Sequence, residues 1–134
     1  MRFIDTNLFL RYFTRDDEEK AQKVLELLKR VETNEEKIIT SSLVMFEVIF
    51  TLESFYNSKR EEIKELIFPL LQLRGLKLTD KEIFCEALTL YTEKKNLSFA
   101  DAFNAAFAIK RGIKEIYSYD TDFDRIEGIK RLTP

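Results

Sequence analysis

The chain has 134 residues, 24 acidic against 22 basic, 45% apolar and 13% aromatic; such a chain can bury roughly two-thirds of its unfolded surface, which argues for one domain over residues 1–134 and against disorder. With no histidine and one cysteine, Ser-His and Cys-His nucleophilic pairs, His-based zinc proteases, zinc fingers and an internal disulfide are excluded. Three glycines leave no room for a Walker loop or a G-x-G-x-x-G turn, and slight net acidity argues against gripping nucleic acid by bulk charge.

RFID at the N-terminus reads as a short buried strand that stops at Asp5-Thr6-Asn7, three residues suited to a turn or a helix cap, so a helix is expected to follow. Ala21, Val24, Leu25, Leu28 and Val31 make one apolar helical face between Asp17 and Val31, with the acidic run Asp16 to Glu19 at its favourable N-terminal end. KIIT at 37–40 is β-branched and predicts a second strand. Ser41 or Ser42 then caps a helix over about Leu43 to Tyr56 that is apolar nearly all round and so is expected to be central. Residues 60–73 predict another helix, kinked or divided at Pro69. LKLT at 76–79 predicts a third strand. Asp80 opens a helix bearing Ile83, Phe84, Ala87, Leu88 and Tyr91, with Cys85 expected as a small core residue. A further helix runs from Ser98 through Ile109 and ends at Gly112. EIYSY at 115–119 predicts a fourth strand, and GIKRL near the C-terminus an edge strand. Strands alternating with helices imply parallel β-α units: an α/β/α three-layer sandwich with a mainly parallel sheet of four or five strands. The N-terminus is too interrupted by charge for a signal peptide, and Glu47 breaks LVMFEVIFTL well short of a membrane span, so a cytoplasmic protein with no membrane partner is expected.

Without histidine or a reactive cysteine, the chemistry left is mostly carboxylate. Helix capping is an adequate account of Asp5, of Asp101 in its Ser98-x-x-Asp101 spacing, and of Asp120 and Asp122 in a turn. Glu47 is harder to explain that way. At 100° per residue, Leu43, Val44, Phe50 and Thr51 project within about 60° of it, so it is expected to point into the helix's apolar side, where an unpaired carboxylate costs several kcal/mol. Either a buried cation of the chain or a bound metal is needed. Strand ends in an open α/β sheet converge on one crevice; Asp5 and Asp120 are predicted at such ends, and Asp101 can face the same place. Carboxylates about 4 Å apart repel by about 4 kcal/mol at an effective dielectric near 20. An all-oxygen cage favours Mg²⁺ or Mn²⁺, and such ions suit phosphodiester chemistry.

FIDTN at 3–7, the acid within SSLVMFEVIFTLE at 41–53, FADAFNAAFA at 99–108 and YSYDTDFDRIEGIKRL at 117–132 follow in an order that resembles the PIN-domain nucleases. In its short length the chain is similar to the VapC-type toxins of toxin–antitoxin pairs. The resemblance implies a metal-dependent endoribonuclease in which Asp5, Glu47, Asp101 and Asp120 are the catalytic, metal-binding acids and Asp122 an outer or alternative ligand. It implies support from Thr6, Asn7, Asn104 and Ser118, the last standing where threonine is common in the family. Arg11, one turn beyond Asn7, either meets an RNA phosphate or pairs with a neighbouring acid. The resemblance further implies a homodimer held inactive by a small antitoxin protein. Phe46, Phe50, Phe55 and Tyr56 are expected in the core, with interfaces as the other reading. A housekeeping RNA-processing nuclease and a non-catalytic PIN-like binding module are the alternatives. A phosphatase with an aspartyl nucleophile would want D-x-D after the first strand, where this chain has Asp5-Thr6-Asn7.

Overall fold

The computed structural model describes residues 1–134, which divide into two compact units, Met1–Lys81 and Glu82–Pro134. In the first, three short strands, β1 (Arg2–Phe3), β2 (Ile38–Ile39) and β3 (Leu76–Lys77), form a parallel sheet in the order β1-β2-β3, with Arg2 opposite Ile38 and Ile38 opposite Leu76. The ladder runs one residue further: Ile4 N–H donates to the Ile39 carbonyl at 3.0 Å and Thr40 N–H to the Lys77 carbonyl at 3.1 Å. The α/β class and parallel pairing expected from alternating strands and helices are present.

Four helices belong to this unit: α1 (Thr6–Thr14), α2 (Glu18–Glu32), α3 (Ser42–Ser54) and α4 (Arg60–Leu71). In α2 the Asp17 carboxylate accepts the Lys20 N–H, acids fill the first turn and Lys29 and Arg30 the last, all matching the helix dipole. Its inner face is Ala21, Val24, Leu28 and Val31, and each such Val or Leu contributes about 1.5–3 kcal/mol by leaving water. Both α2 and α3 pack on α1, and α4 packs on α3. Pro69 lies inside α4, which is unbroken and ends two residues later. Gly75 permits the close approach that starts β3. A Cβ there would stand 2.2 Å from the Glu36 carbonyl oxygen and 2.9 Å from that of Val31, while Gly75's own N–H and carbonyl serve Val31 and Ile38.

Helix α5 (Lys81–Glu93) opens on the last residue of the first unit, and the second unit continues with α6 (Phe99–Lys110), β4 (Glu115–Tyr117), a 3-10 turn (Thr121–Arg125) and β5 (Lys130–Leu132). Strands β4 and β5 pair in parallel as a ladder of their own, Ile116 opposite Arg131. Phe84, Tyr91, Phe99 and Phe103 form an aromatic core, with Phe84 and Phe103 centroids 4.8 Å apart and Tyr91 edge-on to Phe99 at 5.5 Å. No helix is long and apolar enough to cross a membrane.

Three burial expectations need correction. The first strand is not buried: Phe3 is 59% exposed, because alternation sends Ile4 inward (2% exposed) and Phe3 to the other side of an end strand. Cys85 is half-buried rather than a core residue. Helix α3 buries only Val44, Met45, Val48, Ile49 and Leu52; Leu43 (73% exposed), Phe50 (69%) and, just beyond the helix, Phe55 (74%) are open to solvent. A helix with neighbours on one side covers one stripe, so apolar residues all round overstate its burial.

Candidate metal centre

Asp5 stands where the β1–β2 ladder ends and α1 begins. Its backbone is extended (φ −96°, ψ 166°), as at an N-cap, yet its carboxylate makes no capping hydrogen bond. The capping account therefore leaves this side chain unexplained. Its position is fixed through the main chain: Ile4 is locked into the ladder, and the buried Thr40 hydroxyl donates to the Ile4 carbonyl at 2.9 Å. Thr40 was missed in the sequence, where the only sign was a hydroxyl ending a β-branched run. Thr6 is buried; Asn7, like Asp5, is exposed.

Glu47 is also exposed, contrary to its expected burial. It lies on the open stripe of α3 with Leu43, Phe50 and Ser54, spaced by three and four residues. Its neighbours are apolar as expected, but solvent covers them, so desolvation does not require a compensating cation here. Arg11 forms the ion pair: its Nη1 donates to Asp16 Oδ1 at 3.2 Å.

In the second unit the acids are held by one another and by hydroxyls. The Ser98 hydroxyl accepts the Asp101 N–H at 3.1 Å and caps α6. Asp120 does cap its turn, Oδ1 accepting the Asp122 N–H at 2.9 Å, and the Asp120 N–H donates to the Ser118 hydroxyl at 3.0 Å. Burial, then the negative charge of Asp120, pushes the Asp101 carboxyl above its ordinary range; a hydrogen bond to Ser98 opposes this, and Asp120 hydrogen bonding and Asp122 charge add to it. Asp101 and Asp120 thus stand near enough for each other's charge to be felt, with Asp122 adding to the negative field at Asp101. Asn104, one turn along α6, is exposed.

Three or more carboxylate or thiol groups do not converge anywhere closely enough to enclose an ion by themselves. Two facing carboxylates nonetheless fit a hard divalent cation: Mg²⁺ is commonly bound through one or two carboxylates while keeping waters for a substrate phosphate to replace. The donors are all oxygen, and the Asp101 carboxyl is raised by burial and then by the negative charge of Asp120 beside it. Softer ions would want imidazole or thiolate.

Acids stand at strand ends and helix starts on parallel α/β ladders. The family model described as PIN domain matches residues 2–129, and the chain belongs to the PIN domain family. Among individual proteins, it is 28% identical over 134 residues, all of this chain and 97% of the relative, to the VapC ribonuclease of Aquifex aeolicus (strain VF5).

Proposed function

We propose that this chain is an endoribonuclease that hydrolyses RNA phosphodiester bonds with Mg²⁺ or Mn²⁺, acting in the cytoplasm as the toxin of a toxin–antitoxin pair. The observation that carries the metal-dependent part is the Asp101–Asp120 pair, two neighbouring carboxylates of which Asp101 is raised first by burial and then by the negative charge of Asp120. Family membership and the printed name of the relative support the RNA substrate and the toxin role.

In this reading Asp101 and Asp120 hold the ion and Asp122 adds negative charge beside them; for Asp5 and Glu47 of the first unit, a ligand role rests on the family resemblance alone. When bound, the ion supplies a more acidic water and offsets charge building on the phosphate. The Ser98 and Ser118 hydroxyls accept the backbone N–H groups of Asp101 and Asp120 and so fix the main chain that carries the two carboxylates. Asn7, Asn104 and Thr6 supply amide and hydroxyl groups that orient the acids or the scissile phosphate, and Arg11 exchanges Asp16 for an RNA phosphate. The open apolar stripe of α3, Leu43 and Phe50, and the neighbouring Phe55 support protein partners, a second copy of the chain and a small antitoxin, because exposed apolar patches mark such interfaces.

RNA cleavage by the purified chain in Mg²⁺ or Mn²⁺ tests the proposal. Chelator should abolish cleavage, and Asp101→Asn should reduce it by about a hundredfold to a thousandfold, the scale of losing one essential electrostatic group, with circular dichroism unchanged. Cleavage that survives chelation, or is indifferent to Asp101→Asn, overturns it.

A further inference from the structure

The 117–132 segment contains three alternating aspartates, Asp120, Asp122 and Asp124, and the structure gives them different surroundings. Arg131 on β5 places a fork on Asp124: Nε donates to Oδ1 at 2.9 Å and Nη2 to Oδ2 at 3.3 Å. Its third donor, Nη1, reaches the Ser118 carbonyl at 3.1 Å. Ser118 lies two residues before Asp120, and Asp124 two residues after Asp122, so one guanidinium grips both flanks of the segment that bears the acid pair. Inside that grip the Ser118 hydroxyl accepts from Asp120 N–H, and Asp120 accepts from Asp122 N–H. The Ser118 N–H is itself tied to the Leu132 carbonyl at 3.0 Å. The Arg131 side chain is mostly shielded, 19% exposed, while Asp124 is half exposed, so the strength of the pair comes from its bidentate geometry.

We infer that Arg131 is a positioning residue for the metal-holding acids: it neutralises Asp124 and fixes the Ser118–Asp124 turn, leaving Asp120 and Asp122 as the acids that face a cation. This deepens the proposed function and rests on its assignment of Asp101 and Asp120 to the ion. A lysine cannot reproduce the arrangement, because a point charge satisfies Asp124 or Ser118 without the planar fork.

Mn²⁺ binding to the full chain without RNA, followed by electron paramagnetic resonance or calorimetry, provides a measure independent of catalysis. Arg131→Met should weaken Mn²⁺ binding about tenfold, the low end of the cost of removing a direct partner of a metal ligand, because Arg131 acts on Asp120 through Ser118. It should raise the Mn²⁺ concentration for half-maximal RNA cleavage by the same factor, while the rate at saturating Mn²⁺ stays near wild type. Arg131→Lys should recover part of the loss, and Asp124→Asn, which keeps the arginine, should weaken binding in the same direction. Ile126→Val, in the same unit and buried, serves as the stability control, lowering the melting temperature without moving Mn²⁺ affinity. If Arg131→Met and Asp124→Asn bind Mn²⁺ as wild type does, the positioning role is wrong and Arg131 is a structural brace. If instead Asp101→Asn binds Mn²⁺ as tightly as wild type, or wild type binds none, the metal assignment itself falls and takes this inference with it.

Discussion

Asp5 and Asp120 occupy equivalent local positions, each the extended residue before a helical turn, but the chain holds them in opposite ways. Asp120 is tied by its side chain, its Oδ1 accepting the Asp122 N–H at 2.9 Å. Asp5 has no such bond and is held through its backbone, by the ladder to Ile39 and by Thr40 on the Ile4 carbonyl. A carboxylate that also caps a turn has a structural reason to be aspartate or asparagine; one fixed only through its main chain has none from the local fold. The contrast separates acids explained by local structure from acids whose reason must be chemical, and it identifies Asp5 in the first unit as the clearer case of the second kind.

The largest effect available for breaking this contrast is on cleavage. With Asp5 and Glu47 as ligands, Asp5→Asn and Glu47→Gln should each lower metal-dependent RNA cleavage by about a hundredfold to a thousandfold, as Asp101→Asn does. Single-turnover rates at saturating Mn²⁺ measure this. Wild-type rates for Glu47→Gln would leave the exposed glutamate as an ordinary surface acid of α3 and confine the chemistry to the remaining acids.

Thermal stability sharpens the contrast at a smaller scale. Asparagine keeps the capping oxygen while removing the charge, and alanine removes both. Asp120→Ala should therefore be less stable than Asp120→Asn by about 0.5–2 kcal/mol, the range for losing a cap, whereas Asp5→Ala and Asp5→Asn should melt alike in metal-free buffer. A gap of the same size at Asp5 would show a capping role that the backbone geometry conceals. Asp120→Asn has a second consequence through Asp101. A carboxyl raised in the fold favours its protonated form, so the associated stability is greatest below the ordinary carboxylate range and is lost as pH rises through the Asp101 pKa. Removing the Asp120 charge should reduce that loss.

Much of this architecture was legible because it repeats. The 3–4 spacing of Ala21, Val24, Leu28 and Val31 matches the buried face of α2, and Ser98 caps α6 where the spacing to Asp101 placed a helix start. Periodicity carries no information about what covers a face. The apolar helix neighbours of Glu47 and Phe50 predict an inward face, but the other side of α3 does the burying. Pairings between distant residues were equally hidden. Thr40 meets Ile4 across 36 positions and Arg131 meets Ser118 across 13, distances at which sequence spacing has no physical link to contact. The four acids were singled out by the family resemblance, whereas the influence of Asp120 on Asp101 emerges only from the folded second unit.

The smallest expected effect concerns the arginines that hold single carboxylates in the two units. Glu36 in the first unit takes Arg30 Nε at 3.2 Å on one oxygen and Arg2 Nη1 at 3.0 Å on the other, whereas Asp124 in the second takes one arginine as a fork. The Arg30 hydrogen bond, more than that of Arg2, holds the Glu36 carboxyl below the usual range. A depressed carboxyl stabilises the fold at pH above its unfolded value, and that contribution disappears as pH falls through the folded value. Glu36→Gln should thus melt slightly below wild type at neutral pH and converge with it in acid. Because solvated ion pairs are weak and screened by salt, the neutral-pH difference should also shrink in molar NaCl. Parallel melting curves at every pH and salt concentration would show that Glu36 acts through hydrogen bonding alone, with no contribution from its charge.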